Sequence, residues 1–166
     1  MLLPNGDPPV FDYQRIFHTG LLVRDIRTAM DHYGRTLNLT WATPFTFEAL
    51  PLWTPAAGLH QLRIEVTYSI EGPQHLEIVT GPKGTHYDSD LHSGFHVGCW
   101  VDDVRADVAA MRSRGWRVAA AGATPEDGWG TFVFLEPPGG GLAVELVSAE
   151  LLPKFERWWA GADSLA

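Results

Sequence analysis

The sequence has a single cysteine, Cys99, in 166 residues. An internal disulfide and a cysteine-based zinc site are therefore both excluded, and a reducing, cytoplasmic setting is the natural expectation. Basic charge is also scarce: 12 Lys and Arg stand against 20 Asp and Glu, a formal net charge of −8. That balance opposes binding to nucleic-acid backbones or anionic membrane surfaces. No apolar run approaches the roughly 18 to 20 residues that span a bilayer, and the start, MLLPNGDPPV, lacks the basic region and long apolar stretch of a signal peptide. Disorder is excluded by what is present, since 45% of residues are hydrophobic and seven are Trp. The length allows one compact domain or two half-size modules sharing a sheet.

An internal repeat favours paired modules. FHTGLLVRDIR (17–27) aligns without a gap with FHVGCWVDDVR (95–105) at an offset of 78, with six identities in eleven positions. The identical pairs are Phe17/Phe95, His18/His96, Gly20/Gly98, Val23/Val101, Asp25/Asp103 and Arg27/Arg105. In each half, alternating apolar residues predict a strand, an aspartate follows as N-cap (Asp25; Asp102 or Asp103), and helical spacing follows that. Further strands are predicted at 41–48, 61–69 and 74–80, then at 116–121, 130–135 and 141–147. The closing strands correspond too: HLEIV (75–79) matches AVELV (143–147) at an offset of 68, which leaves ten extra residues in the first half, assigned to an insertion at 51–60. The predicted organisation is an N-terminal extension (1–14), a first βαβββ module (15–80), a polar linker (81–93), a second module (94–148) and a C-terminal helix or tail (149–166).

The repeat places one histidine and one glutamate at equivalent positions of each half: His18 and Glu77, His96 and Glu145. Alone, each has a bland structural reading as a hydrogen-bonded core residue. Together they are harder to dismiss, because an unpaired carboxylate in an apolar strand is costly to desolvate, and a pseudo-twofold axis would bring all four to one place. Two imidazoles and two carboxylates suit a divalent transition ion and leave two octahedral positions open.

With these residues in view, the sequence resembles the vicinal oxygen chelate superfamily over residues 15–148, through the FHxG strand starts, the VxD turn into each helix and the closing ELV strand. The resemblance implies an α+β fold in which two paired βαβββ modules form a cupped mixed sheet around a central metal site. It carries the metal ligands onto His18, Glu77, His96 and Glu145, for one divalent ion (cobalt, nickel, zinc or manganese) and no organic cofactor. Extradiol dioxygenases and fosfomycin enzymes of this type use two histidines and one glutamate, so the added Glu77 argues against both. Bleomycin-binding relatives lack the set. The His, Glu, His, Glu order is similar to glyoxalase I, and the layout to methylmalonyl-CoA epimerase, where Glu48 would match an additional acidic residue. The implied function is an epimerase or isomerase moving a proton beside a metal-bound carbonyl. The alternatives are a glyoxalase-like lyase acting on a hemithioacetal, and a non-catalytic, metal-assisted binder of small molecules. Glu145 is the expected base, with Glu48 or Glu77 as the second acid/base. The expected partner is a small carbonyl compound, an acyl thioester or hydroxyketone. A homodimer is expected, with the site completed within one chain or by exchange between two.

Other residues carry weaker signals. His75, two before Glu77, shares its strand face and is expected to touch the site or substrate, and Trp53 and Trp129 are expected to wall a pocket. His32, His86 and His92 read as surface residues and Cys99 as buried on the opposite face from His96. The run PPGGG (137–141) reads as a turn between strands, not a phosphate loop. The amphipathic tail AELLPKFERWWAG (149–161) is expected to dock on the domain's own core, with a dimer contact or a lid as alternatives.

Overall fold

The computed structural model describes residues 9, 10 and 12–163, so most of the expected N-terminal extension lies outside the described residues. Each half runs strand, helix, strand, strand, strand: β1 (Ile16–Leu22), α1 (Ile26–Leu37), β2 (Phe45–Thr54), β3 (Gly58–Tyr68) and β4 (His75–Thr80), then β5 (His96–Val101), α2 (Val104–Arg112), β6 (Arg117–Ala121), β7 (Phe132–Glu136) and β8 (Ala143–Ser148). A last helix, α3 (Leu152–Trp159), follows. The eight strands curl into one closed, cup-like sheet in the order β1-β4-β3-β2-β6-β7-β8-β5.

The aspartates of the repeat act as expected. Asp25 accepts from the Thr28 backbone N–H at 2.7 Å, and Asp103, not Asp102, accepts from Ala106 at 2.9 Å. Each cap satisfies a backbone donor at the helix start and fixes where the chain leaves the sheet. Asp102 is instead bound by Arg15 at 2.8 Å. Both helices lie on the convex face: Ile26 and Ala29 of α1 cover Ile78, and Val104, Val108 and Met111 of α2 cover Cys99, Val133, Leu135 and Leu146.

The modules meet at the antiparallel β1–β5 seam, where His18 lies opposite Gly98 and Gly20 opposite His96. On the far side closure is slight, a single ladder pair between Trp53 and Ala121. The ten extra residues of the first half are not a loop. They lengthen the β2–β3 hairpin, whose strands have 10 and 11 residues against 5 and 5 for β6 and β7. Cross-strand pairing from Leu50 with Leu62 to Thr54 with Gly58 satisfies the backbone there, so Pro51–Thr54 reads as strand despite its proline.

The tail docks on the concave side. Trp158 of α3 is fully buried and donates its Nε1–H to the Thr43 carbonyl at 2.8 Å, while Phe155 meets Tyr68 and Trp100 edge-on with centroids 5.5 and 5.4 Å away. Among the described residues, no helix is long and apolar enough to cross a membrane.

Candidate metal centre

Two strand rows build the site. Across β5, β1 and β4 run His96, Gly20 and Glu77; across β1, β5 and β8 run His18, Gly98 and Glu145. In each row a glycine separates a histidine from a glutamate, and the absent side chain is what lets them converge. A Cβ on Gly20 would lie 2.0 Å from His96 Cε1 and 2.6 Å from Glu77 Oε2, and one on Gly98 would lie 1.9 Å from His18 Cε1. The HxG pattern of the repeat is therefore a steric requirement: each imidazole lies over the glycine of the other module.

The four side chains meet inside the cup, within one chain. Donor atoms of His18, Glu77, His96 and Glu145 all lie within 4.8 Å of one another, and all four residues are buried. The two Nε2 atoms are 3.1 Å apart; Glu145 Oε2 is 3.2 Å from His18 Nε2, and Glu77 Oε2 is 3.3 Å from His96 Nε2. His96 Nδ1 is 2.7 Å from the Gly94 carbonyl. A carbonyl only accepts, so Nδ1 carries the proton and a neutral His96 offers its Nε2 lone pair to the centre. Two nitrogen and two oxygen donors, buried and convergent with two negative charges, fit a divalent cation.

Without a cation the group holds a proton. Burial works against charge on His96, but its hydrogen bonds to Glu145 and Glu77 outweigh that and raise its pKa to about 10. Burial would likewise raise the Glu145 carboxyl, yet His18 and His96 draw it well below the ordinary carboxylate range.

The two carboxylates differ in their surroundings. Tyr68, paired with Glu77 across β3 and β4, donates its hydroxyl to Glu77 Oε1. Burial and then the charges of Glu77 and Glu145 hold that phenol protonated. In the second half the residue paired with Glu145 is Phe134, which offers no hydroxyl. Both glutamates face a cavity of about 240 Å³, walled by Phe47, Ile64, Val66, Phe132 and Phe134, with Tyr87, Lys154 and Phe155 completing it.

The remaining expected site residues lie elsewhere. Glu48 points outward, paired with Arg63 at 3.0 Å, because a register shift in β2 between Phe47 and Leu50 turns it from the cup. Trp53 and Trp129 do not wall the cavity. They pack edge-on at 5.4 Å in the core cluster beneath α2, with the Arg112 guanidinium 5.9 Å over the Trp129 ring. His75 is buried but does not line the cavity; its Nδ1 donates to the Ser69 carbonyl at 2.6 Å and its ring stacks on Trp159 at 3.7 Å. His86 is not a surface residue: its ring lies 4.6 Å from that of Phe134, and burial lowers its pKa to about 4.

Sequence reasoning missed Tyr68 and Tyr87. Tyr68 stands nine residues before Glu77 whereas Phe134 stands eleven before Glu145, so a constant offset does not align them. Tyr87 lies in the segment read as a polar linker, whose composition conceals one inward-facing ring.

The sequence profile of the Glyoxalase/Bleomycin resistance protein/Dioxygenase superfamily matches residues 17–134, and the chain belongs to that superfamily. Among solved structures, a methylmalonyl-CoA epimerase variant from Streptomyces coelicolor superposes with a TM-score of 0.53 at 20% identity, over 81% of this chain and 93% of that one. The Mycobacterium tuberculosis methylmalonyl-CoA epimerase gives 0.53 at 18% identity, over 80% and 86%. A hypothetical protein from Bacillus halodurans gives 0.55 at 15% identity, over 80% and 92%. At these identities the likeness is one of fold. No curated protein sequence matches significantly.

Proposed function

We propose that the protein is a divalent-metal-dependent epimerase or isomerase that moves a proton on the carbon beside a carbonyl group of a small substrate. His18, Glu77, His96 and Glu145 would hold the ion. When bound, the ion polarises the carbonyl and stabilises the negative charge that develops on its oxygen.

The observation that carries this reading is the difference between the two glutamates. Glu77 is tied to Tyr68, while Glu145 faces Phe134 and the cavity with no hydroxyl holding its carboxylate. Glu145 is thus the group free to turn toward a substrate carbon and take its proton. Glu77, with the Tyr68 hydroxyl behind it, is the group left to return a proton to the other face. The apolar walls exclude water from the exchanging carbon, and the buried, single cysteine accords with a cytoplasmic setting.

A hemithioacetal lyase would use the same donor set and the same base, and only the products separate the two. The test is deuterium incorporation from D2O into methylmalonyl-CoA and into a hydroxyketone, followed by NMR on zinc-, cobalt-, nickel- and manganese-loaded protein. Exchange is expected with at least one of them, and Glu145→Gln should slow it by about 10²-fold or more while Tyr68→Phe slows it less. Metal retention with no exchange above buffer would make the protein a binder and refute the enzymatic reading.

A further inference from the structure

The cavity has different chemistry at its two ends. Tyr87 enters it from the segment between β4 and β5; the residue is 5% exposed, and among the described residues its hydroxyl has no hydrogen-bond partner. Its ring lies 6.4 Å from that of Phe134, which is itself 5.0 Å from the His96 ring, so Tyr87 belongs to the same end as the metal centre. The Tyr68 hydroxyl, by contrast, already donates its hydrogen bond to Glu77. The Tyr87 hydroxyl opens onto the cavity, where a ligand oxygen can accept a hydrogen bond from it.

At the mouth stands Lys154 on α3, which is exposed where Glu77, Glu145 and Tyr87 are buried, and it makes no ion pair among the described residues. It is the only cation lining the cavity among the described residues. Other cations outside the lining are engaged elsewhere: Arg63 with Glu48, Lys83 with Asp90 and Arg117 with Glu136. A nucleotide tail would bring several phosphates to a rim with one free cation, on a protein of net charge −8. One carboxylate needs one ammonium. The rest of the lining is apolar and aromatic apart from Thr131, and about 240 Å³ is less than the roughly 300 Å³ at which sites for drug-sized ligands begin.

We propose that the cavity binds a compact, largely apolar monocarboxylate with a carbonyl at its far end: the carbonyl oxygen accepts from the Tyr87 hydroxyl beside Glu77 and Glu145, the body packs on Phe47, Phe132 and Phe155, and the carboxylate pairs with Lys154. The placement of the carbonyl end rests on the function proposed above, whereas the carboxylate end does not. Recognition of the anion at the rim also keeps its charge away from the two buried glutamates, which would repel it.

Isothermal titration of the zinc-loaded protein with 3-benzoylpropionate, its methyl ester and propionyl-CoA tests the proposal. The acid is expected to bind about tenfold or more tightly than the ester, as a charge-assisted contact implies. Lys154→Met should erase that ratio and Lys154→Arg should preserve it. Tyr87→Phe should weaken acid and ester by the same factor, and zinc content should be unchanged in all three variants. Equal binding of acid and ester, tighter binding of propionyl-CoA, or no binding of either benzoyl probe would overturn the proposal. Failure of the protein to take up zinc would instead sink the metal-dependent reading, and the acid-to-ester ratio would still be measured on the metal-free protein.

Discussion

The two halves of the chain are alike where a cation is to be held and unlike where a substrate is to be met. Each supplies a histidine over the other's glycine and a glutamate one strand further out. Yet Tyr68 stands where the second half has Phe134, and the hairpin of the first half is twice as long. The repeated Phe17 and Phe95 also part company. Phe17 is buried, stacked on Trp100 at 3.8 Å and covered by α3, whereas Phe95 is 51% exposed. The single C-terminal helix covers one of the two identical residues and leaves the other open, and so breaks the symmetry there. Duplication produced the ligand set, and divergence around it produced a one-sided cavity in which the two carboxylates have different freedom.

Mutations can break this comparison at each level. The largest effect is expected from the phenylalanine pair: Phe17→Ala should cost about 3–5 kcal/mol in denaturant unfolding, and Phe95→Ala should stay within about 0.5 kcal/mol. Equal costs would mean that α3 does not distinguish the halves. Gly20→Ala and Gly98→Ala should each destabilise by about 1–3 kcal/mol and abolish metal uptake, with matching values because each added methyl strikes the other module's histidine. Metal analysis showing full occupancy in either variant would contradict the crossed arrangement of histidine over glycine. A smaller and one-sided change is expected from Tyr68→Phe, which removes the donor to Glu77 and should weaken zinc binding by about 10- to 100-fold. Phe134→Tyr, the reciprocal change, should slow proton exchange by giving Glu145 a competing hydrogen bond.

The comparison extends to pH dependence, where two buried histidines act in opposite senses. His96, raised from 6.5 to about 10, gives the metal-free protein stability that is complete below pH 6.5 and fades as pH rises through about 10. His86, lowered from 6.5 to about 4, must stay neutral inside, so its contribution is present above pH 6.5 and lost as pH falls toward about 4. The lowered Glu145 carboxyl adds to the acid-side loss. Thermal unfolding of chelator-treated protein should therefore peak near pH 6.5. Zinc should reverse the alkaline slope, because the ion displaces the proton His96 carries; an unchanged slope would place the ion elsewhere.

Much of the site was legible in the sequence because a repeat is a statement about symmetry. His18, His96, Glu77 and Glu145 occur at matched positions, and a twofold relation makes them neighbours although they are 19 to 127 residues apart in the chain. The helix caps were legible for a local reason: Asp25 and Asp103 bond to backbone three residues on, and the chain itself sets that distance. Cavity walls follow no such rule. Trp53 and Trp129 look like pocket residues by type, but the register of β2 and the position of α2 put them in a separate core cluster. Glu48 looked like a second acid until a register shift turned it to Arg63.

The sequence by itself determined the paired modules, the capped helices and the identity of the four convergent donors, because these depend on periodicity, on contacts a few residues long and on duplication. Only the tertiary structure decided that Glu77 is held by Tyr68 while Glu145 faces Phe134, that Tyr87 and Lys154 line one cavity, and that α3 covers Phe17 but not its counterpart Phe95. Those relations join segments with no common period, and they exist only once the strands have taken their register and the cup has closed around the side chains that fill it.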